Sequence, residues 1–153
     1  MATPVLESSV VIDAPIEKVW SVVSDLEGMG KRSPQCKKVF VFGGPIKEGT
    51  RMLNINKQGW RVWPTNTKVI EFKENERIAF RVAENHTVWS FTLVPEDGKV
   101  TVVERREAAG GRTTAVSSIL VGALLGGNED FERGLLVGMK QTLSHIKTES
   151  EAA

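Results

Sequence analysis

The chain has 153 residues, with 20 Lys plus Arg against 19 Asp plus Glu, one Cys and no Tyr. That length fits a single domain with one hydrophobic core, and a net charge of +1 gives no electrostatic case for nucleic acid or an anionic surface as partner. A lone cysteine excludes an internal disulfide and a cysteine-based metal cluster; with no charged segment followed by an apolar run at the N-terminus, the expected compartment is the cytoplasm.

The chain opens on an apolar, strand-like run, Val10-Val11-Ile12, that turns at Asp13-Ala14-Pro15 into a short amphipathic helix. Pro15 suits the first helical position, where its missing N–H would be unpaired anyway, and Glu17 favours the positive end of the helix dipole. Ile16, Val19, Trp20 and Val23 share one helical face. Between residues 36 and 108, alternation and turn residues predict an antiparallel meander of six strands, at 38–42, 50–57, 60–72, 77–83, 87–94 and 99–107. With the opening strand this makes seven. Pro64 marks an edge or a bulge near the start of its strand. Pro95-Glu96-Asp97-Gly98 is a hairpin signal. Asn85-His86-Thr87 matches the glycosylation pattern, an accidental match in a cytoplasmic chain.

The apolar stretch between Ala115 and Leu125 is about half the ~20 residues that a membrane-spanning helix needs, so no stable membrane insertion is expected. It reads as a buried or lid-like segment, with transient membrane contact as the sharper alternative. Asn128-Glu129-Asp130 then caps a long helix whose stripe is Phe131, Leu135, Met139, Leu143 and Ile146. Gly134 and Gly138 each cost that helix about 1 kcal/mol relative to alanine, which points to close backbone approach or to room for a ligand. The domain is expected over residues 1–147, with 148–153 as a frayed tail.

The segment Ile12-Asp-Ala-Pro15-Ile-Glu17-Lys-Val19-Trp20-Ser-Val-Val-Ser-Asp25 closely resembles the opening of bacterial members of the SRPBCC superfamily, of the polyketide cyclase/dehydrase type. The resemblance continues in order through Gly49-Thr50, Asn56-Lys57-Gln58-Gly59, Trp63-Pro64-Thr65, Ile78-Ala79-Phe80, Trp89-Ser90-Phe91, Thr101 to Arg105 and Gly138 to Leu143, nearly the whole chain. Where members often carry a tryptophan just before the proline after the first helices, this chain has Lys31-Arg32-Ser33-Pro34. The resemblance implies an α+β helix-grip fold, as in START domains and the birch-pollen-allergen family. In that fold a seven-stranded antiparallel curved sheet wraps a long C-terminal helix, with short helices after the first strand. It also implies a cavity between sheet and helix for a lipid, polyketide, quinone or similar molecule. Alternation then places Leu53, Ile55, Ile78, Phe80, Trp89 and Phe91 opposite Leu135 and Met139, and Trp60 and Trp63 are suited to grip a ligand near the mouth, with a core or edge cluster as the alternative. A closed core built from the same residues is the alternative.

Chemistry-bearing motifs are scarce. No Gly-x-Gly-x-x-Gly occurs, Gly44 to Gly49 continues as Thr50-Arg51 in place of a P-loop Lys-Ser, and no serine sits in a nucleophile elbow. His86 and His145 have no carboxylates at ligand spacing, so neither metal nor cofactor is expected. Cys36, beside Lys37 and Lys38, reads as structural, with a lowered thiol pKa as the alternative. Resemblance to aromatase/cyclases implies a cavity arginine that polarises a carbonyl and a group that moves protons. Among the strand arginines, Arg51 shares parity with Leu53 and Ile55 and is the catalytic candidate, with Asn54 or Asn56 as polar neighbours. The missing tyrosine weighs against enzymes that use one. The expected function is therefore binding or transport of a lipophilic small molecule. A polyketide-type cyclase or dehydratase is the alternative, and an interaction module using the sheet or the stretch from Ala115 to Leu125 the third reading.

Overall fold

The computed structural model describes residues 5–28, 36–84, 86–107 and 128–152. Strand β1 (Val5–Ile12) leads into helix α1 (Ile16–Val23) and a single 3₁₀ turn (Leu26–Gly28). Pro15 sits one position earlier than expected, at the N-cap with φ −61° and ψ 146°, and its carbonyl accepts from the N–H groups of Lys18 (3.0 Å) and Val19 (3.1 Å). Val22 joins Val19, Trp20 and Val23 among the buried residues of α1, and Trp20 meets Phe72 edge-on at 5.4 Å between ring centroids. This burial anchors a helix too short to persist in water on propensity alone.

Six further strands follow: β2 (Cys36–Phe42), β3 (Arg51–Gln58), β4 (Arg61–Lys73), β5 (Arg77–Val82), β6 (Val88–Glu96) and β7 (Lys99–Glu107). All pair antiparallel in one seven-stranded sheet of order β1-β7-β6-β5-β4-β3-β2, so β1 and β2, adjacent in sequence, form opposite edges. The β6–β7 hairpin closes at Asp97-Gly98, whose φ values of 52° and 78° are both positive. A two-residue turn of that hand matches the right-handed twist of its strands, which is why Asp-Gly serves there. Pro64 lies in β4 opposite Ile55, on a stretch that runs past β5, whose pairing begins at Thr67. Although β4 is internal, its missing donor thus falls where one side of the strand is unpaired.

Helix α2 (Asn128–Glu151) packs against β1, β7 and α1. It buries Leu135, Met139, Leu143 and Ile146, four positions of the expected stripe; the side chain of Phe131 lies outside the described residues. The frayed tail expected from residue 148 is instead helical to Glu151. Ser150 is buried, and the Glu151 carboxylate accepts from the Asp13 backbone N–H (2.8 Å) and from Lys147 Nζ (2.6 Å). Lys147 Nζ also donates to the Val11 carbonyl at 3.1 Å, so the last turn is tied to the end of β1. The main core gathers Ile12, Val19, Trp20, Val69, Phe91, Val102, Leu143 and Ile146 under α1, and a second cluster joins Leu6, Leu135 and Met139. No helix among the described residues is long and apolar enough to cross a membrane. The stretch between Ala115 and Leu125, and Lys31 to Pro34, lie outside the described residues.

Candidate functional site

Residues directly opposite each other in an antiparallel sheet point to the same face, so the register identifies the inward side of every strand. On β7 it carries Val100, Val102, Glu104 and Arg106, all buried. Their partners on β6 are Leu93 to Val102, Phe91 to Glu104 and Trp89 to Arg106. The rows continue through Ile78 and Phe80 on β5, Val69 and Thr67 on β4, and Met52, Asn54 and Asn56 on β3, opposite Thr67, Thr65 and Trp63.

Between these rows and α2 lies a cavity of about 160 Å³. Trp63, Phe80, Trp89, Phe91 and Leu135 supply its apolar walls, while Asn54, Asn56, Thr65, Thr67, Glu104 and Arg106 supply polar groups. The polar wall of β3 and β4 is internally ordered. Asn56 Nδ2 donates to Thr65 Oγ1 (2.9 Å) and to the Trp63 carbonyl (3.3 Å). Asn54 Nδ2 donates to Thr67 Oγ1 (3.2 Å) and Thr65 Oγ1 (3.4 Å). On the helix side Thr142 Oγ1 donates to the Gly138 carbonyl at 2.9 Å, so the donor of that hydroxyl is used within α2.

Glu104 is 5% exposed, and its Oε1 has no hydrogen-bond partner. Burial pushes its carboxyl well above the usual carboxylate range, because a charge removed from water there has no compensating solvation. Arg106, 3% exposed, follows two residues later on the same face, and a guanidinium stays charged in any protein setting. The site thus sets a carboxyl that favours its neutral form near a permanent cation. Such a pair can donate hydrogen bonds to a carbonyl and can move a proton.

The expected residues Trp63, Phe80, Trp89, Phe91 and Leu135 line the cavity, whereas Met139 is buried in the cluster beside it. Leu53, Ile55 and Arg51, expected inside, do not line it: β3 turns Met52, Asn54 and Asn56 inward, leaving Leu53 opposite Phe40 on the outer face. The placement of apolar residues inside fails on this strand because its inner face borders a partly polar cavity. Arg51 is exposed and faces Lys68 across the outer surface. Sequence reasoning missed Glu104 and Arg106, although they continue the parity of Val100 and Val102. Cys36 lines the cavity, and its thiol is pushed up to about 11 by burial, which outweighs the opposing backbone hydrogen bond at Lys38 and the pull of Lys37. That direction is opposite to the lowered thiol pKa of the alternative reading. Trp60, at the tip of the β3–β4 hairpin, is 82% exposed, with the Arg61 guanidinium 5.3 Å from its ring centroid.

A curved antiparallel sheet gripping a C-terminal helix over an amphipathic cavity defines a helix-grip protein. The chain belongs to the family described as "Polyketide cyclase / dehydrase and lipid transport", which matches residues 3–151. A comparison with curated protein sequences finds no match. Among solved structures, the di-domain aromatase/cyclase StfQ of the steffimycin biosynthetic pathway superposes with a TM-score of 0.77 at 10% identity; the match covers 97% of this chain and 50% of that one. The chain therefore spans half the length of that relative. The ZhuI aromatase/cyclase from Streptomyces sp. R1128 aligns over 97% of this chain and 96% of its own at 17% identity and a TM-score of 0.68. A polyketide-cyclase-like protein from Corynebacterium glutamicum, Cgl2372, is 24% identical over 95% of this chain and 90% of its own, with a TM-score of 0.65. At these identities the superpositions establish the fold alone.

Proposed function

We propose that the protein binds a lipophilic small molecule that carries a polar group. The observation that carries this reading is the cavity itself, in which tryptophan and phenylalanine faces adjoin buried Glu104 and Arg106. Ligand sites pair mostly apolar walls with a few placed polar groups, and at about 160 Å³ this cavity is smaller than the ~300 Å³ at which such sites commonly begin, so it suits a compact ligand. Family membership supports it, since the family description joins cyclase chemistry and lipid transport. In this reading the protein works in the cytoplasm, and the stretch between Ala115 and Leu125 touches a membrane while a lipid is exchanged; vesicle flotation tests that contact. Native mass spectrometry of the protein incubated with fatty acids, quinones and aromatic polyketides tests the binding itself. A one-to-one complex with at least one class is expected, and no complex with any of them overturns the reading.

A second reading, a polyketide-type cyclase or dehydratase, is favoured by the placement of Glu104 and Arg106 together in the cavity. Arg106 would polarise a substrate carbonyl and Glu104 would transfer the proton, roles for which exposed Arg51 is misplaced. Turnover of a poly-β-ketone mimic tests it. Arg51→Ala should leave the product profile unchanged and Arg106→Gln should alter it; the reverse pattern sinks this assignment.

A further inference from the structure

We infer that Glu104 is the polar anchor of the cavity, hydrogen-bonding an uncharged oxygen group, a ketone or a hydroxyl, on an otherwise apolar ring-bearing ligand. The inference rests on the binding reading above and names the ligand class for it. Its basis is unspent hydrogen-bonding capacity. The donors of Asn54 and Asn56 are taken by threonines and by the Trp63 carbonyl, and the donor of the Thr142 hydroxyl by Gly138. Arg106 has an interaction partner of its own, although its Nη1, like Glu104 Oε1, makes no hydrogen bond. Glu104 Oε1, buried and facing the cavity, has none. Buried polar atoms in native structures are nearly always bonded, so an orphan at a ligand cavity marks where a ligand atom belongs.

The neighbours decide the chemistry of that atom. Directly opposite Glu104 across the sheet stand Ser8 on β1 and Phe91 on β6, and the next row holds Arg106, Trp89 and Phe80. A site with apolar walls, a carboxyl held toward its neutral form and a resident guanidinium favours an oxygen group that can accept or share a hydrogen bond, and disfavours a group that adds positive charge. With burial holding the carboxyl toward its neutral form, Glu104 offers an O–H to a ketone and a carbonyl oxygen to a hydroxyl. A ligand amine would instead bring a charge that must be desolvated together with the carboxylate it creates. The aromatic walls and the volume of about 160 Å³ suit one or two rings.

Four matched bicyclic probes test this by NMR titration of isotope-labelled protein: tetralin, 1-tetralone, 1-tetralol and 1-aminotetralin. In the wild type, 1-tetralone and 1-tetralol should bind about tenfold or more tighter than tetralin, and the amine no tighter than tetralin. Glu104→Leu should erase the preference for oxygen while retaining tetralin binding, and Glu104→Gln, which can still donate and accept, should keep part of it. The same spectra report whether each variant is folded. If tetralin binds and the oxygenated probes gain nothing, or the amine binds tightest, the cavity reading stands and the anchor falls. A preference that survives Glu104→Leu also overturns the assignment. If no probe binds the wild type, the cavity reading falls and takes this inference with it.

Discussion

Along β7 the inward side chains run Val100, Val102, Glu104, Arg106, and the same change recurs on its neighbours. On β4 the inward sequence passes from Val69 to Thr67 and Thr65, on β3 from Met52 to Asn54 and Asn56, and on α2 from Ile146 and Leu143 to Leu135. One end of the interior, under α1, is a closed apolar core; the other, built from the same strands at the same parity, is a cavity with polar walls, and Leu26, Val39, Met52 and Phe91 border both. The fold is thus secured at one end and left open at the other. A sheet held by the packed half can carry unsatisfied groups in the open half, because stability and ligand recognition are drawn from different stretches of each strand.

The largest test of that division compares one truncation in each half. Leu143→Ala removes a fully buried side chain from the closed core and should cost about 2–5 kcal/mol, read from the urea midpoint at constant slope. Phe80→Ala, on the cavity wall, should cost less than half as much, since part of that ring faces open space and has fewer packing partners to lose. Equal losses would mean that the open half is as tightly packed as the closed one.

Glu104 sharpens the comparison from the other side. Below about 4.5, the ordinary value for a glutamate, folded and unfolded chains both hold the proton. As the pH rises past that value the unfolded chain releases it while the folded chain, with its raised pKa, retains it. The wild type therefore loses stability with rising pH through this group. Glu104→Leu should stabilise the protein by about 1–3 kcal/mol at pH 7 and by distinctly less at pH 4. A gain independent of pH would show that ionisation of Glu104 is not the source of the cost. Because the substitution also removes the inferred ligand anchor, tighter folding should accompany lost selectivity.

The same division explains what could be read from the chain alone. Helix α1, the six-strand meander and the α2 stripe were legible because each buries an apolar face, and periodicity reports such faces directly. The open half defeats that logic. On β3, Leu53 and Ile55 are the apolar residues yet face outward, while Asn54 and Asn56 face in. On β7, Glu104 and Arg106 look like surface charges until the register sets them opposite Phe91 and Trp89. Alternation locates two faces but assigns inside and outside only by hydrophobicity, which misleads wherever the inside is a polar cavity. The last turn of α2 was missed for a different reason: its anchors, Asp13 and Val11, lie at the far end of the chain.

The smallest expected effect concerns the outer surface, which carries no part of the proposed site. Arg51, Lys68 and Arg81 stand directly opposite one another on β3, β4 and β5, three exposed cations in one cross-strand row. Like charges in direct opposition destabilise a sheet, and opposite charges there add roughly 0.2–1 kcal/mol per pair. Lys68→Glu turns both repulsions into attractions, so the variant should gain up to about 1 kcal/mol, or roughly 2–4 °C in melting temperature for a domain of this size. The gain should shrink in 1 M salt, where screening acts over about 3 Å. Ligand affinity should not change, because Thr67 and Val69, the neighbours of Lys68 along β4, point to the opposite face. A melting shift that persists undiminished at high salt would mean that Lys68 acts through packing, and a change in affinity would show that the outer face reaches the cavity after all.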